Sequence, residues 1–492
     1  MLSRKQIVIF WIILLLQLLF LSVFVFFRLI DYDEASYLSA AHLVANGKLP
    51  YIDFFYAQMP YVPYAYSPVS GFGLSSLFWG RLISSLAGLV LGIALFRLAY
   101  KLSRNARLSL FLFFLYGSNG LLLAWHSVVK TLVISDLFGF ISFILFVSYL
   151  LSEERHKNVK ILLSGFFVGL ALNLRLTFSA IWLAEMVLIF FLSFRRSPGQ
   201  KMITGLWFCL GTVLSSSLAI YLFLKDPSAF IFDNLTYHQI LGLSFIKLGF
   251  MKRILTLFKF VFYPQNLFIL LAAIIGMVSA KKSTKIKDFV ISNQVILIAF
   301  LFGILLTITS FSISPTTFQH YEQTLPYFLI ASITGFGILE SKLGKRKTII
   351  GVISALYALL VIPFAVIFIL SVRDRDKPYP ISEVRKVMKV VEENSRPHQT
   401  VFSTWPAYAI FAKRETVPGL ETWGWEVTHL LSPQELEKSK LLNRQQMKEI
   451  ILEKKVSLIV EGDWFVKEFK DILEANYQLL KTIGEAHIYK AK

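Results

Sequence analysis

Residues 4–34 read RKQIVIFWIILLLQLLFLSVFVFFRLIDYDE, so a long apolar run passes directly into a cluster of carboxylates. The run at 7–30 is long enough for a helix to cross about 30 Å of hydrocarbon, which requires about 20 residues. Two basic residues precede the run and no small-residue cleavage site follows it. The pattern therefore predicts a retained first membrane span, with the carboxylates at the membrane surface.

Similar apolar blocks recur through the first three quarters of the chain. Of the 492 residues, 55% are hydrophobic and only 16% are charged, which is far from the composition of a soluble protein. The single cysteine, Cys209, lies inside one block, so no intramolecular disulfide is expected. The blocks predict about eleven transmembrane helices, near 7–30, 80–100, 108–125, 131–151, 161–175, 176–194, 202–224, 260–279, 289–311, 321–339 and 348–371.

The basic residues indicate how the chain is oriented. The formal charge is +19, but from residue 372 onward 20 Lys and Arg nearly balance 18 Asp and Glu. In the membrane part, 19 basic residues fall in every second connection between blocks and seven in the opposite connections. This positive-inside pattern predicts a plasma (inner) membrane protein with a cytoplasmic N-terminus and an extracytoplasmic C-terminal part. Topology thus explains the charge, and no nucleic-acid partner is predicted.

The chain divides into two predicted domains, a polytopic α-helical membrane domain (1–371) and a small extracytoplasmic α/β domain (372–492). In the second, helical spacing marks 381–394 and 445–455, strand character marks 399–405 and 456–462, and 487–490 reads as an edge strand. A stretch rich in Trp, Pro and Gly at 404–435 is expected to form a loop facing the membrane surface. The membrane domain has two long outer connections, at 31–79 and 225–253.

The first outer connection carries the acids best placed for chemistry. Asp31, Asp33 and Glu34 follow the first span, and either aspartate could cap a helix predicted from Ala35 to Asn46. Helix capping at a membrane surface explains these carboxylates as well as a functional role does. The connection as a whole is rich in aromatic residues and turn signals, which favours an ordered element at the headgroup boundary over a linker.

The segment 33–60, DEASYLSAAHLVANGKLPYIDFFYAQMP, resembles the first external loop of GT-C-fold glycosyltransferases. These polyprenyl-phosphate-sugar-dependent enzymes include the protein O-mannosyltransferases and the lipid A aminoarabinose transferase. Two later segments are also similar to that superfamily: GFFVGLALNLRLTFSAIW at 165–182 and SPTTFQHYEQTLPYFLIAS at 314–332. The resemblance covers most of the chain and extends to the external C-terminal α/β domain.

The resemblance implies transfer of a hexosyl or pentosyl group on the outer membrane face, with inversion, from a polyprenyl-phosphate donor to a hydroxyl of a glycan, lipid or protein. By motif position Asp33 is expected to be the general base, with Glu34 orienting the acceptor or assisting. Asp31 is the alternative base. Asp53 is expected to position the loop or the acceptor sugar, and a turn carboxylate bonded to local amides explains it equally well.

The donor phosphate would need cations or hydrogen-bond donors. Some relatives have a lysine where this chain has the neutral Gln58, so another cation must act here. Arg175 lies between apolar runs, where an unpaired charge is costly, although it could snorkel to the surface. His320 and Tyr321 are expected to contact phosphate or sugar, with packing or capping as the alternative. The remaining external candidates are Lys130, Lys247, Lys252 and Arg253, with His126 and His238 as weaker ones.

Other ionisable residues leave the question of a metal open. Asp136 and Glu185 fall inside apolar runs, and an interhelical carboxylate is the expectation for Glu185. The acids at 31–34 offer hard oxygen ligands, so a divalent metal is possible as a cofactor. No second ligand cluster has clear spacing, and no metal site is predicted.

Two further functions compete with the glycosyltransferase. A transporter or flippase of lipid-linked saccharides would show repeat symmetry and broken helices at the midplane, and neither is visible in the sequence. An O-antigen-ligase-like transferase with a diphosphate donor is the second alternative. A membrane scaffold is also considered, but it assigns no function to the carboxylate-bearing first outer connection (31–79), called the acidic loop below.

Overall fold

A computed structural model of the chain describes residues 2–151, 157–192, 197–244, 246–282, 287–313, 316–343, 347–370 and 379–492. Up to residue 282 its helices are α1 (Arg4–Phe27), α2 (Tyr32–Ala45), α3 (Tyr61–Tyr66), α4 (Ser75–Ser103), α5 (Ala106–Gly117), α6 (Gly120–Trp125), α7 (Leu132–Leu151), α8 (Lys157–Leu174), α9 (Ser179–Leu192), α10 (Pro198–Ser215), α11 (Ser217–Lys225), α12 (Pro227–Ile231), α13 (Tyr237–Ser244), α14 (Ile246–Phe262) and α15 (Pro264–Lys282). The membrane part continues with α16 (Lys287–Ser312), a 3-10 turn (Phe318–Thr324), α17 (Leu325–Ala331), α18 (Ile333–Leu343), α19 (Lys347–Leu359) and α20 (Ile362–Ile369).

Long apolar helices confirm a multi-pass membrane protein. Within the described ranges, six helical stretches are long and apolar enough to cross a membrane, and two bent helix pairs raise the number to eight. The bent pairs are α10 with α11, at 63°, and α14 with α15, at 77°. The predicted span 108–125 is divided between α5 and α6, because the Asn119 side chain accepts a hydrogen bond from the Leu122 amide and starts a new helix. The total of eleven spans stays a prediction.

Helices α8 and α10 meet at two glycines. A Cβ atom added at Gly165 would lie 2.0 Å from the Phe208 carbonyl oxygen, and one at Gly211 would lie 2.0 Å from that of Leu162. Only glycine allows the two backbones to approach this closely, as small residues do between membrane helices. The contact fixes α8, whose carboxyl end leads into Arg175.

The C-terminal residues form a small α/β arrangement. Its elements are α21 (Ile381–Asn394), β1 (Thr400–Val401), α22 (Ala407–Ile410), β2 (Glu415–Thr416), α23 (Pro433–Ser439), α24 (Arg444–Leu452), β3 (Leu458–Glu461), α25 (Asp463–Asn476), β4 (Tyr477–Ile483) and β5 (Ala486–Ala491). Strands β1 and β2 pair in parallel, and β5 lies between β3 and β4, antiparallel to both. The prediction of an edge strand at 487–490 is wrong, because β4 pairs with the other edge of β5. The predicted boundary at 371/372 lies outside the described residues.

This C-terminal part packs on the connection between α1 and α2. The Trp405 indole donates a hydrogen bond to the Tyr32 carbonyl oxygen at 3.0 Å, and the Tyr32 hydroxyl donates to Glu426 at 3.0 Å. The Ile30 amide donates to the Tyr379 carbonyl oxygen at 3.0 Å. The stretch 404–435, predicted to face the membrane surface, thus supplies contacts to the acidic loop.

The second long connection reaches the same loop. The Tyr56 amide donates to Asp233 at 2.9 Å, and His238 lies 2.8 Å from the Ala57 carbonyl oxygen. The segments 31–79, 225–244 and 379–492 therefore meet on one side of the helical bundle. This agrees with the charge pattern, whose assignment of that side to the exterior stays a prediction.

Candidate active site

Helix α2 begins inside the carboxylate cluster. Asp31 is its N-cap, because its carboxylate accepts a hydrogen bond from the Asp33 amide at 3.1 Å and Glu34 accepts one from the Asp31 amide at 2.9 Å. Of the two predicted caps, the structure therefore selects Asp31. This reciprocal capping box fixes the backbone that carries Asp33.

Glu34 is fully buried and its hydrogen-bonding capacity is saturated. Its two oxygens accept from the Arg81 guanidinium at 2.8 and 2.6 Å, and from the amides of Val129 and Asp31 at 3.0 and 2.9 Å. With both oxygens engaged in this way, the structure favours a structural role for Glu34, and its expected role beside the base stays a prediction. The Glu34–Arg81 ion pair joins α2 to α4, and the bond from the Val129 amide joins Glu34 to the turn before α7.

Lys130 lies between the other two carboxylates. Its ammonium is 2.8 Å from Asp31 and 2.8 Å from Asp33, and it also donates to Gln319 at 3.2 Å. A divalent ion at Asp31 and Asp33 would have to displace this ammonium, and Glu34 is already occupied by Arg81. The donor set at 31–34 therefore does not fit the metal site that was considered possible from the sequence.

The two aspartates differ in exposure and in proton affinity. The Asp31 side chain is 17% exposed and that of Asp33 is 41% exposed. Burial opposes ionisation of Asp31, but Lys130 and Arg28 outweigh it and lower the pKa of Asp31. Enclosure by its surroundings, together with the Asp31 charge, raises the pKa of Asp33 despite Lys130. Asp33 is thus the more basic carboxylate and the more accessible one.

A cavity of about 630 Å³ opens beside Asp33. Five of the residues predicted for the site line it: Asp33, Gln58, Lys130, Arg175 and His320. Arg253, one of the external cation candidates, and His238, a weaker candidate, also line it, and no prediction was made for Gln319 from the sequence. Apolar side chains complete the wall, among them Met59, Leu132, Leu176, Leu235 and Ile313.

Two predicted substrate-binding residues lie away from this cavity. Asp53 is exposed, and its carboxylate accepts a hydrogen bond from the Leu49 amide at 2.7 Å, as a turn carboxylate does. Tyr321 is buried, and its ring stacks on Phe260 at a centroid distance of 4.9 Å. Neither residue is among the cavity lining, so the structure favours the turn and packing interpretations.

Arg175 supplies a buried positive charge to the cavity wall. The residue is only 6% exposed, and its Nη1 atom has no hydrogen-bond partner among the residues that the structure describes. A buried guanidinium with a free donor is a ready site for an anionic oxygen. Arg253 adds a second cation to the same wall.

The sequence did hold signals for two contacts that were missed. Arg81 sits at the start of the predicted span 80–100, and a charge in an apolar run requires a partner. Glu322, whose carboxylate lies 3.1 Å from His126 Nε2, is two residues after His320 in the segment 314–332. No local pattern, however, identifies the Arg81 partner, since Glu34 lies 47 residues away.

Comparison with protein-family models and with curated protein sequences found no match. Solved structures do match along nearly the whole chain. ArnT from Cupriavidus metallidurans bound to undecaprenyl phosphate superposes with a TM-score of 0.70 over 99% of this chain and 98% of that one, at 11% identity. The apo state of ArnT gives 0.53 at 11% identity, covering 97% of each chain. The apo Archaeoglobus fulgidus oligosaccharyltransferase gives 0.50 at 12% identity, covering 99% of this chain and 74% of its own. The chain therefore has the GT-C fold of these membrane proteins.

Proposed function

We propose that this chain is an inverting membrane glycosyltransferase that takes its sugar from a polyprenyl-phosphate donor. The observation that carries the proposal is the cavity in which the accessible carboxylate of Asp33 shares a wall with the buried guanidinium of Arg175. The ArnT structure holds undecaprenyl phosphate, which supports a lipid phosphate as the donor here. Apolar side chains in the same wall suit the lipid part of such a donor.

Asp33 acts as the general base. It accepts the proton of the acceptor hydroxyl as the hydroxyl oxygen attacks the anomeric carbon of the donor. A raised pKa suits this role, because a base is most effective when its pKa approaches the working pH. Lys130 holds Asp33 in position at 2.8 Å, and its positive charge favours the ionised form of the carboxylate.

Arg175 and Arg253 stabilise the leaving group. As the bond between the anomeric carbon and the phosphate oxygen breaks, negative charge grows on the lipid phosphate, and a desolvated guanidinium stabilises it strongly. Gln58 and His320 add hydrogen-bonding groups without charge. One displacement on the face opposite the phosphate inverts the anomeric centre.

Asp33→Asn tests the base directly. The full chain is placed in lipid nanodiscs with a panel of polyprenyl-phosphate sugars and an extract of candidate acceptors, and sugar transfer is measured. Loss of a general base costs about 10²–10⁴-fold in rate. Asp226→Asn is the matched control, because Asp226 caps α12 in the other outer connection and asparagine caps a helix equally well. Normal transfer by folded Asp33→Asn protein would remove Asp33 as the base.

The orientation has its own test. A reporter that is active only outside the cytoplasm, fused after residue 380, is expected to be active. A second reporter, which is active only in the cytoplasm, is fused at the same position. Activity of this second reporter would place Asp33 and the cavity on the wrong side of the membrane for the proposed chemistry.

A further inference from the structure

A second polar cluster is buried in the helical bundle. It joins His126 at the end of α6, Asp136 in the second turn of α7, and Glu322 in the 3-10 turn Phe318–Thr324. Each of the three residues is at most 1% exposed, and one ligand atom from each lies within 4.8 Å of the others. None of them is among the described residues that line the cavity.

Hydrogen bonding around His126 leaves a lone pair facing a carboxylate. The Tyr116 hydroxyl donates to the Gly88 carbonyl oxygen at 2.7 Å, so it accepts from His126 Nδ1, which lies 3.3 Å away. In a neutral imidazole the proton is then on Nδ1 and the lone pair on Nε2. That Nε2 atom lies 3.1 Å from Glu322 Oε2. Two acceptors at this distance require a proton or a cation between them.

The remaining oxygens strengthen this requirement. Within the described part of the chain, no N–H or hydroxyl group donates to the two buried carboxylate oxygens of Asp136 or to Glu322 Oε1, and the Asp136 and Glu322 carboxyl groups lie close enough to share a hydrogen bond. Arg175 is close enough for both carboxylates to act on it electrostatically, but its Nη1 atom also has no described partner. Burying two carboxylates without compensation costs several kcal/mol per ion.

We propose that His126, Asp136 and Glu322 bind one divalent transition-metal ion, with zinc as the preferred class. Zinc accepts imidazole nitrogen and carboxylate oxygen as ligands, and three protein ligands leave a fourth position for water. Zinc–ligand bonds of about 2.0–2.1 Å place tetrahedral ligand atoms about 3.3 Å apart, close to the observed 3.1 Å between Nε2 and Oε2. The ion would accept electron density from the lone pair on Nε2 and from the carboxylate oxygens.

Such an ion would hold the cavity wall in place. His126 lies four residues before Lys130, and Glu322 lies three residues after Gln319, the residue to which Lys130 donates a hydrogen bond. Tying the α6–α7 turn to the 3-10 turn therefore fixes both partners of that bond. The proposed role of the ion is positional, and its presence does not depend on the glycosyltransferase function.

Metal binding itself is the measurement. The full chain, with any affinity tag removed, is purified in detergent, stripped with a chelator and titrated with Zn²⁺, and bound metal is counted by mass spectrometry. We expect about one Zn²⁺ per chain in the wild type and at least a tenfold loss of affinity in Asp136→Asn and Glu322→Gln. Thermal unfolding verifies that each variant is folded.

Two control variants separate this site from other buried or acidic groups. Glu185→Gln changes a carboxylate that is equally buried but already accepts hydrogen bonds from Ser142 and Ser164. Asp33→Asn changes the cavity carboxylate. Both controls are expected to keep one Zn²⁺ per chain.

Zinc X-ray absorption of the wild type supplies a test that needs no variant. One nitrogen ligand with oxygen ligands supports the proposal, and an oxygen-only or sulfur-containing shell overturns it. A stripped wild type that takes up no Zn²⁺ also overturns it, and would show that the two carboxyl groups share a proton instead. Binding retained by folded Asp136→Asn, or lost in Asp33→Asn, would place the ion elsewhere and equally refute the site.

Discussion

Glu34→Gln should destabilise the protein strongly, although it changes the side chain by a single group. In the wild type the buried Arg81 guanidinium makes two bonds to Glu34 and three to the carbonyl oxygens of Val25, Arg28 and Leu29. Glutamine removes the charge that balances Arg81. It also turns an amide NH₂ toward groups that are themselves donors, namely the guanidinium and one of the two backbone amides.

The size of the effect follows from these contacts. Removing one partner of a buried ion pair leaves an uncompensated charge and costs about 3–5 kcal/mol. The three carbonyl oxygens continue to solvate Arg81, so we expect about 3 to 4 kcal/mol in the free energy of unfolding. Asp33→Asn should cost only about 1 kcal/mol or less, because the Asp33 side chain is 41% exposed and Lys130 keeps its bond to Asp31.

Unfolding in mixed detergent micelles, followed by tryptophan fluorescence, measures the difference. Arg81→Met removes the other partner and provides a double-mutant cycle. In Glu34→Gln/Arg81→Met the loss should be smaller than the sum of the single losses by about 0.5–3 kcal/mol, because the orphaned charge has gone. A Glu34→Gln protein as stable as the wild type but without transfer would refute the reasoning, and would return Glu34 to the role of an acceptor contact.

Three further changes test the cavity and the bundle. Lys130→Met removes the charge that opposes the rise in the pKa of Asp33. The acid limb of the pH profile of kcat/KM should therefore move to higher pH. An acid limb that stays in place or moves to lower pH contradicts the pairing of Lys130 with Asp33. Arg175→Met should lower kcat by about 10²–10³-fold. Arg175→Lys should recover part of the loss, because lysine keeps the charge but lacks the planar guanidinium. Equal kcat in the wild type and both variants would exclude a role of Arg175 at the phosphate. Gly211→Ala should lower the free energy of unfolding by about 1–3 kcal/mol, because backbone atoms of α8 must move to make room for the added methyl group. Gly199→Ala is the control. Its methyl group would have no atom within 4 Å, so the free energy of unfolding should change by less than about 1 kcal/mol.

Much of the cavity could be predicted from local sequence. Asp33, Gln58 and His320 were identified by motif, and Arg175 by its position between apolar runs. The division at Arg175 was also found, since α8 ends at Leu174. Charge and hydropathy patterns can be read from the sequence without knowledge of packing, and they are sufficient to indicate a multi-pass helical bundle.

The sequence could not predict that Asp33 lines the cavity while Glu34 is buried against Arg81. Adjacent residues on a helix point about 100° apart, so one faces the cavity and the other faces α4, but nothing local says which. The same limit applies to the buried cluster, because His126 and Glu322 are 196 residues apart and present no ligand spacing. The central position of β5 depends likewise on its pairing with β3 and β4.

The contacts at residues 30–32 bear on how this architecture evolves. The Ile30 amide is held by Tyr379 and the Tyr32 carbonyl oxygen by Trp405, immediately before Asp33. A soluble domain attached by a free linker could be exchanged between relatives as a module. Here an exchanged domain would have to bring an acceptor for the Ile30 amide and a donor for the Tyr32 carbonyl oxygen to the same two places, so docking geometry restricts which domains could replace this one.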